Sequence, residues 1–152
     1  MQAELQRILD HYDGVLHGEP WHGDALWQIL EGIPAEKAAA RPVTGAHTIW
    51  ELVMHMTFWE GVATKRLAGL RAGLVEELNF PAMPDVIEEN WQKTLDTFRA
   101  SNQNFRQAVT NLEPGKLDQL TAVGKRTSYG EMHGIIEHHV YHVGQIALLK
   151  NM

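Results

Sequence analysis

Residues 128–152 read SYGEMHGIIEHHVYHVGQIALLKNM, and this stretch decides the fold. It holds no proline, and Ile135, Ile146 and Leu149 recur near one face at helical spacing. Ser128 reads as its N-cap, with Glu131 at the capping-box position. Working backwards, residues 85–112 place Ile87, Trp91, Leu95, Phe98, Phe105 and Val109 at spacings of threes, fours and sevens, and Glu113-Pro114-Gly115 closes them. Residues 47–73 line up Ile49, Leu52, Val53, Met56, Ala63, Leu67 and Leu70, with Gly73 as the expected stop. Residues 3–30 carry Leu5, Ile8 and Leu9, a soft spot at Gly14 and Gly18-Glu19-Pro20, then Ala25, Leu26, Ile29 and Leu30. Gly32 and Pro34 end that segment. Ala35 to Ala40 fits a short helical turn, residues 79–84 a proline loop, and the polar stretch through Gly124, Lys125 and Arg126 another loop. No segment sustains the apolar–polar alternation of a strand. Four long amphipathic segments predict an all-α antiparallel four-helix bundle.

At 152 residues the chain is the length of one domain, residues 1–152, able to bury roughly 70% of its unfolded surface. Its 44% apolar and 21% charged residues are those of a globular protein. Zero cysteines exclude a disulfide scaffold, a thiolate zinc site and a cysteine nucleophile together. Thirteen Lys+Arg against nineteen Asp+Glu give a formal charge of −6, the wrong sign for gripping a nucleic-acid backbone. No apolar run reaches the roughly 20 residues of a membrane span, and the amphipathic, acidic start is unlike a signal peptide, so the expected compartment is the cytoplasm.

Nine histidines are many for so short a chain. His11, His17, His22 and His47 sit among polar or turn residues and read as surface or capping groups. His138 and His142 are four apart, so on a helix their rings stand one turn above the other, the spacing at which two imidazoles chelate one ion. Their apolar neighbours put them at the core border, where unpartnered imidazoles are costly. A site needs a third protein ligand, and His55 is the best candidate, because it lies between Met54, Met56, Phe58 and Trp59. Glu51, one turn earlier, reads either as outer support for the His55 ring or as a surface residue. His139 points about 100° away from His138 and reads as packing or surface. Three neutral imidazoles without thiolate suit zinc, nickel, iron or manganese, and they leave coordination positions open.

These residues together resemble a known family. HTIWELVMHMTFWE at 47–60 with HHVYHVGQI at 138–146, supported by GEPWHG at 18–23 and by Trp91, is similar to the DinB-like superfamily of metal-binding four-helix bundles, also called the YfiT or damage-inducible family. The resemblance implies a bundle with long connections, a metal triad at His55, His138 and His142, a divalent cation (usually zinc or nickel) and a homodimer. Some members are similar to thiol S-transferases using mycothiol, bacillithiol or glutathione, and another branch to metal-dependent hydrolases.

The chemistry divides along that line. A cation can acidify a bound water for hydrolysis or stabilise a thiolate for transfer. Without cysteine, the thiol must be a small molecule. A hydrolase wants a glutamate base near the metal. Glu137 directly precedes His138 and points elsewhere, Glu131 lies two turns before it, and neither makes an H-E-x-x-H pattern. The reading therefore leans to a low-molecular-weight-thiol S-transferase acting on small electrophiles, with a metal-dependent hydrolase or a non-catalytic metal-binding stress-response bundle as alternatives. Trp21 and His22 read as the mouth of the site or as packing, Trp50 and Trp59 as core, and Gln145 as support for His142 or an inter-helix hydrogen bond.

Overall fold

Glycine and proline set the helix boundaries in the computed structural model, which describes residues 2–152. Helix α1 runs Gln2–His17, and Gly18 and Pro20 then part it from α2, Leu26–Leu30. The expected soft spot is thus a full break. Gly32, at φ 71°, follows α2, and α3 spans Ala35–Ala39. Helix α4, Ile49–Leu67, starts from a capping box in which Thr48 Oγ1 accepts from the Glu51 amide and the Glu51 carboxylate accepts from Thr48 N–H. It stops well before Gly73, because Gly69 supplies the positive φ (82°) that lets Leu70 N–H reach back to Lys65 O. A short α5, Glu76–Asn79, precedes the proline loop, and α6 covers Glu88–Thr110. After a 3₁₀ turn at Pro114–Lys116 comes α7, Ser128–Lys150. Its N-cap is Thr127, whose hydroxyl accepts from Gly130 N–H, so Ser128 is the first helical residue and Glu131 is freed for other work. Among the described residues there is no strand, only an isolated bridge between Leu120 and Thr127. No described helix is long and apolar enough to cross a membrane.

The four long helices pack in a ring: α1 against α6 and α7, and α4 against α6 and α7. The residues with helical spacing fill its interior. Leu5, Ile8, Leu9, Leu52, Val53, Met56, Phe98, Phe105, Ile135 and Ile146 are all buried, whereas Leu70 and Ile87, at the predicted segment ends, stay exposed. Two fully buried tryptophans tie the ring to its connections. Trp50 and Trp91 rings meet at 5.1 Å, Trp50 Nε1 donates to Thr94 Oγ1 (2.9 Å), and Trp91 Nε1 donates to the Ile33 carbonyl (2.7 Å). Each indole therefore buries its large ring without orphaning its N–H, and the aromatic pair contributes about 0.5–1.5 kcal/mol beyond the area it buries. This packing pins α4 to α6, while the opposite side of α4 lies against α7, where the residues discussed next come together.

Candidate metal centre

Helical geometry brings the three histidines together. His138 and His142 project from one face of α7, and α4 presents His55 opposite them. His138 Nε2 lies 3.1 Å from His55 Nε2 and 3.0 Å from His142 Nε2. All three can offer one nitrogen to a common point, with those nitrogens within 4.8 Å of one another, and no carboxylate among the described residues joins the cluster. Ligand nitrogens about 2.0–2.1 Å from a zinc ion stand about 3.0–3.4 Å apart, so the observed spacing fits.

The outer ring nitrogens fix two of the three tautomers. His55 Nδ1 lies 3.0 Å from the Asn79 carbonyl, which can only accept, so the proton sits on Nδ1 and Nε2 carries a lone pair. His142 Nδ1 donates to Gln145 Oε1, which leaves its Nε2 equally bare. Gln145 thus supports His142 directly and does not bridge helices. His138 Nδ1 is buried without a partner. Two lone pairs aimed at one point next to a third imidazole suit a cation better than they suit each other. Burial also keeps the rings neutral. Desolvation first, and the neighbouring imidazoles second, lower all three, His138 to about 3 and His142 to about 4.

The loop after α5 completes one wall. Phe80 stacks on His55 (4.2 Å between centroids) and on His47 (3.7 Å), so His47 is less idle than its polar surroundings predict. Asn79 acts twice. Its carbonyl orients His55, and its side-chain oxygen accepts from Trp59 Nε1 (2.9 Å). Trp59 is half-buried and packs against the edge of the core. It lines a cavity of about 300 Å³ that also includes Arg66, Arg126, Glu131, Gly134, Ile135 and His138.

Several other predicted residues lie elsewhere. Glu51 does not support His55; its carboxylate caps α4, pairs with Arg41 at 2.7 Å and faces His47, and these contacts lower its pKa despite the opposing cost of burial. Trp21 is fully exposed and, with His22, Ile136, Val140 and Tyr141, lines a separate groove of about 760 Å³ that contains none of the triad. Glu131 is buried and takes Arg66 Nη1 on both oxygens (3.0 and 3.1 Å), so it is neither a cap nor a free base.

Sequence reasoning missed a second buried cluster. Glu60, fully buried on α4, accepts from the Tyr12 hydroxyl and from Asn102 Nδ2 (2.9 and 3.1 Å) and contacts His139 Nε2 at 3.1 Å. Asn102 in turn accepts from Trp27 Nε1 (3.1 Å). His139 is therefore a buried partner and not a surface group. Burial and the nearby Glu60 carboxylate raise the Tyr12 pKa well above its usual value, so the phenol stays a donor. One signal was available: Glu60 follows His55 by five residues within an otherwise apolar run.

No curated protein and no solved structure matches this chain. The sequence model of the DinB superfamily matches residues 21–146, a span that holds all three histidines, and the chain belongs to that superfamily.

Proposed function

We infer that the chain is a divalent-metal-dependent enzyme that transfers a low-molecular-weight thiol to small electrophiles, with His55, His138 and His142 holding the metal. The observation that carries the metal is the convergence of three imidazole nitrogens, two of them with bare lone pairs, on one point with no competing acid group. Zinc or nickel suits three neutral nitrogen donors. Bound there, the cation supplies charge that favours the deprotonated form of a thiol or of water.

The choice of thiol over water rests on the carboxylates. A hydrolase needs a base to take a proton from water, and each nearby glutamate is committed elsewhere. Glu131 is held by Arg66, Glu60 by Tyr12 and Asn102, and Glu51 by Thr48 and Arg41. A thiol is already acidic enough to dispense with such a base. The chain's part is then to orient: Asn79 and Gln145 hold two imidazoles, and Trp59 and Phe80 wall the site. The ring of four long helices supports reading the architecture as the antiparallel bundle expected from the sequence.

The test incubates metal-loaded protein with a halogenated aromatic and each low-molecular-weight thiol in turn. Thioether formation with halide release, dependent on both metal and one thiol, is the expected result. Cleavage of amides or esters without thiol, lost on His55→Ala, would establish a hydrolase instead.

A further inference from the structure

The cavity beside His138 has an unbalanced charge. Two arginines and one glutamate line it. Glu131 spends both oxygens on Arg66 Nη1, and Arg66 Nε donates to the Ala72 carbonyl (2.8 Å), so that pair is closed. Arg126 is left over. It stands exposed at the rim, and no ion pair of the described residues includes it. Its guanidinium lies across α7 at Gly134, where an added Cβ would come within 3.1 Å of Nη1. A methyl group at position 134 would touch that guanidinium and move it by only a few tenths of an ångström. The remaining walls are Ile135, the imidazole of His138 and the Trp59 indole, whose N–H is already donated to Asn79. One planar cationic fork, an aromatic wall and a metal ligand thus share about 300 Å³, a volume for a small molecule.

We propose that the small molecule acted on or used at the triad carries a carboxylate, which Arg126 holds in this cavity while the rest of the molecule reaches the histidines. The proposal rests on the metal reading of the triad and names the class of ligand that approaches it. Charge decides the class. The protein's unmatched charge in the cavity is a single unit, and a guanidinium fork matches a carboxylate in both charge and geometry. Three neutral imidazoles do nothing to offset the charge of a cation, which strengthens the demand for an anion.

The probe is 3-mercaptopropionate, compared with its uncharged amide by calorimetry on zinc-treated protein whose zinc content is measured in the same samples. The expected result is that wild type binds the acid at least about tenfold more tightly than the amide, the scale of one charge-assisted hydrogen-bonded contact. Arg126→Gln should erase the preference at unchanged zinc content. Gly134→Ala, which alters no charge and shifts the guanidinium only slightly, should reduce the preference far less than Arg126→Gln does. Lys125→Gln removes the same charge from the neighbouring position and should leave the preference intact. Equal binding of acid and amide by fully loaded wild type would overturn the proposal, as would a preference that survives in Arg126→Gln. The metal reading fails separately. Protein that takes up no zinc yet still prefers the acid through Arg126 would keep the carboxylate site and remove the metal, and loss of both would remove both.

Discussion

Two buried polar clusters share the same pair of helices and are built on opposite terms. Glu60 follows His55 by five residues on α4, and His139 directly follows His138 on α7. In the Glu60 cluster, donors meet an acceptor: Tyr12, Asn102 and His139 surround one carboxylate, and only His139 Nδ1 is left without a partner. In the triad, two lone pairs face one imidazole nitrogen, His138 Nε2, which has at most a single proton to offer them. A carboxylate ringed by donors holds a core together, whereas lone pairs that outnumber the protons available to them suit a cation. Burial does not separate the two cases, because both sit at the core. The kind of group that converges does, because each cluster also keeps one unpartnered ring nitrogen.

That contrast breaks most visibly in stability. Glu60→Ala strands a phenol, an amide and an imidazole in the core, and should cost about 3–5 kcal/mol in urea unfolding. Any of this variant that stays folded should still take up metal. His142→Ala should do the reverse, with metal-free stability near that of wild type and stoichiometric metal lost. Next in size is the stabilisation supplied by the ion itself. At free metal one hundredfold above Kd, wild type should gain about 2.7 kcal/mol, and His142→Ala should gain nothing. Equal gains in both proteins would erase the distinction between the clusters.

Smaller effects sharpen it. Gln145→Ala frees His142 Nδ1, and metal affinity should fall about 10–100-fold by competition with a chelating indicator, without loss of fold. Acid supplies a further probe. Burial holds His138 at about 3 and His142 at about 4, below the value near 6.5 of an unfolded chain. The folded state therefore binds fewer protons than the unfolded one in that interval, and metal-free stability should be intact above about pH 6.5 and decline as pH falls toward 4. In His142→Ala the decline should be shallower. A wild-type urea midpoint that stays flat from pH 7 to 4 would show that the rings are not held neutral by burial.

How much of this was legible depended on whether the information was local. The His138–His142 pair reads directly from helical spacing, and His55 stands out because its neighbours are apolar. The long helices follow from the same periodicity, and their interior residues are buried as that periodicity requires. Glu60 was hidden because its partners Tyr12 and Asn102 lie 48 and 42 residues away. Asn79, which orients His55 from 24 residues away, acts through a backbone carbonyl that any residue possesses. The same limit explains Glu131, whose place in a helical first turn fits a capping box while Arg66, 65 residues earlier, claims its carboxylate. Local patterns announce ligands on a helix face. The groups that orient those ligands, and the choice of which carboxylate stays free, are decided by tertiary contacts.

The central claim is that one divalent cation binds per chain through three imidazole nitrogens. Metal analysis of zinc-treated, dialysed protein, joined to X-ray absorption at the zinc edge, addresses it directly. The account predicts one zinc per wild-type chain with three histidine nitrogens in its shell, and none retained by His142→Ala. Full occupancy in His142→Ala, or a wild type that emerges from dialysis without zinc, would contradict it.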